Sequence, residues 1–139
     1  MLLSTIVDFG YTPYATAERQ AHADTDRGAI LSQLSQRFNA SMRATIVNDG
    51  RRIGLILLDE LTVQVFNFPG FQGFTNPYSA VCDLTKSALT PPSILDCTAQ
   101  TFVTGGTQGY FWADDLHLSA SAQNFFGSAA ITRAQNNPF

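Results

Sequence analysis

The chain has 139 residues and a formal net charge of −3, with eight Lys and Arg scattered along it. That length suits one domain of ordinary size, here 1–139, and that charge leaves no basic footprint for nucleic acid. Hydrophobic residues make up 45% and charged residues 14%, so a core is available while Ser, Thr, Asn and Gln carry the surface; no apolar run reaches the roughly 18 residues that a transmembrane helix needs.

Met1-Leu2-Leu3-Ser4 lacks the basic start and small-residue cleavage site of a signal peptide, and Asp8 interrupts the apolar stretch. Leu2 to Phe9 reads as a buried strand, with β-branched Ile6 and Val7 inside it. Met1 then reads as an internal start or an artificial boundary, and Gly10-Tyr11-Thr12-Pro13 ends the strand. His22 falls in a polar, solvated stretch. A long helix begins after a cap at Asp24 or Thr25, with Ile30, Leu31, Leu34, Phe38, Met42 and Ile46 at helical spacing and Gly50 beyond its end. At roughly 35 Å it is long enough to cross a sheet face. Asn39-Ala40-Ser41 matches a glycosylation sequon, but its mid-helix position argues against use.

Ile53 to Asp59 is apolar without alternation, the pattern of a strand covered on both faces in a parallel sheet. Asp59 closes it, either at the strand end where α/β folds place functional residues or as the cap of a helix from Glu60 to Phe68. Pro69 to Gly109 reads as a long irregular region. Phe68, just before it, and Phe71, Phe74 and Tyr78 within it either pack the loop or line an apolar wall. Cys82 and Cys97 flank Pro91-Pro92; a disulfide between them would contribute roughly 3 kcal/mol, and two unrelated buried thiols are the alternative. Neither cysteine has a histidine or second cysteine at metal-ligand spacing, and nothing calls for a cofactor. A disulfide implies a secreted or periplasmic protein. Ser119 caps a last helix through Ala134, whose apolar face is Ala122, Phe125, Phe126, Ala129 and Ala130.

The chemistry concentrates in Gly109-Tyr110-Phe111-Trp112-Ala113-Asp114-Asp115-Leu116-His117-Leu118-Ser119. A carboxylate three residues before a histidine can share one tight turn with it. Such a carboxylate orients the imidazole and stabilises the imidazolium formed in proton transfer. Asp114 and His117 are the candidate catalytic pair; a structural loop histidine is the alternative. Asp115 is the rival carboxylate, one residue closer, and Trp112 packs the turn. Ser119, Ser121 and Ser128 are the nearby hydroxyls, but none sits in a nucleophile elbow.

This block resembles the D-x-x-H motif that closes the catalytic domain of the SGNH, or GDSL-type, esterases and lipases. Asp8 to Pro13 is similar to the turn after that family's third block. Phe38 to Met42 falls in its next helix, Ile53 to Asp59 in its penultimate strand, and Gly73-Phe74-Thr75-Asn76 in a later loop. Leu118 departs from the pattern, standing where the family usually has proline. No Gly-Asp-Ser, early glycine block or Gly-x-Asn-Asp is present. The resemblance therefore implies the C-terminal portion of an SGNH domain: an α/β, flavodoxin-like three-layer fold with few parallel strands.

It implies carboxylic-ester hydrolysis in which this chain supplies Asp114 and His117 of a Ser-His-Asp triad. The nucleophile and oxyanion-hole donors that such hydrolysis needs would come from elsewhere. Two clear parallel strands also leave an edge unpaired, which invites another polypeptide. The expected partner is an N-terminal segment of the same enzyme carrying the serine, or else a homo-oligomer that completes the sheet. The competing reading is an inactive remnant or a binding and assembly module that keeps the scaffold without the chemistry.

Overall fold

The computed structural model describes residues 1–46 and 52–136. The protein is mixed α/β, and its described strands form two separate two-stranded sheets, both parallel. In the first, β1 (Leu2–Ser4) pairs with β2 (Gly54–Ile56) in the register Leu2 to Gly54 and Ser4 to Ile56. In the second, β3 (Asn76–Ala80) pairs with β4 (Tyr110–Trp112).

The strand expected over Leu2 to Phe9 stops at Ser4. The Thr5 N–H still donates to the Ile56 carbonyl of β2 at 2.9 Å, and beyond it the backbone finds side-chain partners instead of a sheet neighbour. The Asn39 carboxamide accepts from the Ile6 N–H and donates to the Ile6 carbonyl, both at 2.9 Å. The Phe9 N–H donates to Ser35 Oγ, and the Gly10 N–H to the Asp8 carboxylate. That last bond nucleates a 3-10 turn at Phe9–Tyr11. Gly10 is required there: a Cβ would lie 2.6 Å from Ser32 Oγ and 2.7 Å from the Gly28 carbonyl oxygen.

The residues after this turn form a helix that the expected polar stretch does not contain, α1 (Pro13–Ala21). Thr12 caps it by accepting from the Ala15 N–H, and Pro13 occupies its first turn. The long helix, α2 (Arg27–Thr45), is capped by Asp26 rather than Asp24 or Thr25, through the Ala29 N–H at 2.8 Å. Gly50, expected beyond its end, lies outside the described residues.

α2 is inverted relative to its apolar pattern. Its buried residues are Gly28, Ser35 and Asn39, whereas Ile30, Leu34 and Phe38 are 45%, 58% and 50% exposed. The inner face is selected by the unpaired backbone of residues 6 to 10, which needs hydrogen-bonding side chains more than it needs apolar ones. Asn39 is 1% exposed, so the sequon is closed to modification.

β2 is shorter than expected because α3 (Leu58–Asn67) starts at once after it. Asp59 therefore stands in the first turn of α3, favourable for a carboxylate at a helix N-terminus, and not at a strand end or as a side-chain cap. Its oxygens accept from Arg43 of α2 at 2.8 Å and from the Thr5 hydroxyl at 2.7 Å, clasping α2 and α3 to the end of β1.

The region from Pro69 to Gly109 holds more structure than expected: β3 and 3-10 turns at Pro69–Gln72, Leu84–Lys86 and Ile94–Asp96. Cys82 and Cys97 form a disulfide across it, with Cα atoms 5.6 Å apart. The four aromatics divide. Phe74 is core, while Phe68, Phe71 and Tyr78 stand largely in solvent.

Finally α4 (Ala120–Gln135) packs against both β2 and β4. Ser119 caps it as expected, accepting from the Ala122 N–H at 3.1 Å. The core lies between α3, α4 and β4 and is built from Val65, Phe74, Phe111, Trp112, Ala122 and Phe126. Phe111 is its hub, meeting Phe66, Phe74, Trp112 and Phe126 edge to face at 5.0 to 6.1 Å, the geometry the ring quadrupole favours. No described helix is long and apolar enough to cross a membrane.

Candidate active site

The turn after β4 leaves the core directly. Phe111 and Trp112 are fully buried, so two residues that precede the turn are anchored in the core. The chain then reverses: the Ala113 N–H donates to the His117 carbonyl at 2.7 Å, and the Ser119 N–H donates to the Phe111 carbonyl at 2.9 Å. Two neighbours hold the turn from outside. The Cys82 N–H donates to the Ala113 carbonyl at 2.8 Å, and the Tyr14 N–H at the start of α1 donates to the Asp115 carbonyl at 3.1 Å.

Asp114 organises the turn. Its Oδ1 accepts from the Leu116 N–H at 2.9 Å and the His117 N–H at 2.6 Å. The same carboxylate meets His117 Nδ1 at 2.9 Å through Oδ1 and 2.8 Å through Oδ2. An ionised carboxylate can only accept, so Nδ1 carries the proton and Nε2 of the neutral ring holds the lone pair.

Burial alone would raise the Asp114 pKa. The Leu116 and His117 N–H donors, with the His117 ring, outweigh it and hold the carboxyl below its ordinary value. The Asp114 side chain is 14% exposed and that of His117 66%. The pair thus has a sheltered orienting end and an open working end.

Among the described residues Asp115 takes no part in the pair, offering only its carbonyl to Tyr14. The serines are placed just as clearly. Ser119 Oγ donates to the Tyr110 carbonyl at 2.7 Å and caps α4; Ser128 Oγ donates to the Asn124 carbonyl. Among the described residues no serine hydroxyl hydrogen-bonds the His117 ring. His22 ends α1, its Nε2 3.7 Å from Glu18, away from this turn in the chain and unconnected to it by any hydrogen bond.

A cleft of about 370 Å³ adjoins the pair, and His117 is part of its lining. Leu118 and Ala120 also line it, together with Ile94, Leu95 and Phe102 of the disulfide-bearing region. The aromatics Phe68, Phe71 and Tyr78 do not line it. Sequence reasoning missed these lining residues, although the Cys82–Cys97 pair marked the segment that supplies them.

No protein-family model matches the chain, and no curated protein matches it.

Proposed function

We propose that this chain carries the acid–base half of a serine esterase site. The observation that carries the reading is the pairing of the Asp114 carboxylate with His117 Nδ1, which leaves Nε2 as a proton acceptor beside a cleft. In this reading Nε2 takes the proton of a serine hydroxyl as its oxygen attacks the ester carbonyl. Asp114 stabilises the resulting imidazolium, and Nε2–H then protonates the leaving alcohol. The likeness of the D-x-x-H turn to that of the SGNH esterases supports this, as does a parallel α/β arrangement.

The serine and the oxyanion-hole donors come from outside the described residues, by preference from an N-terminal segment of the same enzyme and otherwise from a second copy. Three observations support a covering partner. Among the described residues β1 and β2 pair only with each other, which leaves an open edge on each. The outer face of α2 presents Ile30, Leu34 and Phe38 to solvent. His117 itself is two-thirds open, where a working base is sheltered from water. With such a segment in place the sheet would extend toward the flavodoxin-like three-layer form. The disulfide supports an oxidising setting, secreted or periplasmic.

A second reading, a module that keeps the scaffold without catalysis, draws on the absence of a serine bonded to His117 among the described residues. Hydrolysis of p-nitrophenyl acetate separates the two. The chain is assayed alone and co-expressed with the coding sequence upstream of it, each beside His117→Ala. Hydrolysis that disappears with His117→Ala supports the esterase. No hydrolysis in either preparation, or hydrolysis indifferent to His117, supports the module.

A further inference from the structure

The cleft beside His117 has a chemical character of its own. Apart from the imidazole, no ionisable side chain lines it: there is no Asp, Glu, Lys or Arg. Its lining combines the apolar Ile94, Leu95, Phe102, Leu118 and Ala120 with uncharged polar side chains, among them Thr98, Gln108 and Gln123. A charged substrate group entering here would meet no Asp, Glu, Lys or Arg as counter-ion. An apolar group would exchange water for side-chain contact. The volume lies at the lower end of the roughly 300–1,000 Å³ typical of small-molecule sites, a size that suits a short alkyl chain or a single ring.

We infer that this cleft binds one apolar arm of a small, uncharged ester, setting its carbonyl toward His117. This rests on the esterase reading and narrows it to short-chain or single-ring neutral esters. The disulfide has a defined part in it. Cys97 joins the 3-10 turn at Ile94–Asp96 to Cys82, and Cys82 donates its N–H to Ala113 next to Asp114. The selecting wall and the acid–base pair are therefore fastened to one point.

The test is binding by the 139-residue chain, read by NMR, with methyl benzoate as probe and benzoate as its charged counterpart. Two variants alter the cleft from exposed positions, so the fold is not at stake. Leu95→Asp sets a charge on a side chain that is 88% exposed, and Ala120→Trp fills space from the exposed first turn of α4. Methyl benzoate is expected to shift the His117 ring and Ala120 amide resonances saturably, with benzoate giving no shift at the same concentration. Each variant should weaken the neutral ester by about tenfold or more while core resonances such as Phe126 stay in place. Equal binding of benzoate, shifts confined to other surfaces, or indifference to both variants would overturn the assignment.

The two readings fail separately. Saturable methyl benzoate binding without His117-dependent hydrolysis removes the esterase and keeps the cleft. Hydrolysis whose preference for short neutral esters is unmoved by either variant removes the cleft and keeps the esterase.

Discussion

Asn39 serves as a strand neighbour for Ile6: one carboxamide satisfies both the N–H and the C=O of that residue at 2.9 Å. Replacing it with alanine leaves two backbone groups unpaired at a position that is 1% exposed. Each such loss costs about 1–3 kcal/mol. Asn39→Ala is therefore expected to destabilise the chain by about 2–6 kcal/mol in urea unfolding, whereas Phe38→Ser on the outer face should change it by less than about 0.5 kcal/mol. Equal effects would mean that the inner face of α2 is not what holds the segment after β1.

Acid should weaken the protein through Asp59 and Asp114. Burial raises both pKa values, but the donors prevail: the Thr5 hydroxyl and Arg43 at Asp59, the Leu116 and His117 N–H groups and the His117 ring at Asp114. A carboxyl whose folded pKa lies below its unfolded one stabilises fully above the unfolded value, near pH 4. That contribution is lost as pH falls through the lower folded value. Stability should decline from about pH 4 downward, and Asp59→Asn should be less stable than the parent at pH 7 but close to it at the acid end. Urea midpoints for both proteins across this range check it; a constant gap would remove Asp59 from the account.

Trp112 and Phe111 are neighbours with opposite expectations. Both are fully buried, but among the described residues Trp112 Nε1 has no hydrogen-bond partner. Trp112→Phe removes an unsatisfied donor along with some packing, and these oppose one another. The net change should stay within about 1 kcal/mol. Phe111→Ala removes the ring that four others contact edge to face and should cost about 3–5 kcal/mol. Thermal unfolding of the two variants side by side would show whether the indole nitrogen is a burden.

Opening the disulfide should lower stability by roughly 3 kcal/mol, the value for a closed loop of this size. The Cys82→Ala/Cys97→Ala double variant, compared with the oxidised parent by urea denaturation, measures this directly. Because the Cys82 N–H holds the Ala113 carbonyl, the variant should also broaden the His117 ring signals. Sharp, unshifted signals would show that the turn stands without the staple.

What could be read from the sequence was local. The Asp114–His117 turn, the Ser119 cap, the final helix and the cysteine pairing all follow from residues close together or from a single pair of like residues. The misreadings came from tertiary demand. The pattern on α2 showed an apolar stripe but not which face the core would choose, because that choice depends on backbone groups more than twenty residues away. β3 carries Asn76, Pro77 and Ser79, residues with weak strand preference, so its pairing with β4 was hidden. α1 is a different kind of case: Thr12-Pro13 is a plain helix start, and the same residues also read as the end of a strand.

The turn that carries Asp114 is fastened by four backbone bonds, from Cys82, from Tyr14, across its own neck from Ala113 to His117 and at its base from Ser119 to Phe111. None of the four involves a residue of the excursion between Asp83 and Gly109, whose Ile94, Leu95 and Phe102 face the cleft. Length and composition can therefore drift along most of that excursion without moving the imidazole. A lineage descended from such a scaffold could exchange ligands by rewriting one surface segment, with the proton-handling pair inherited intact.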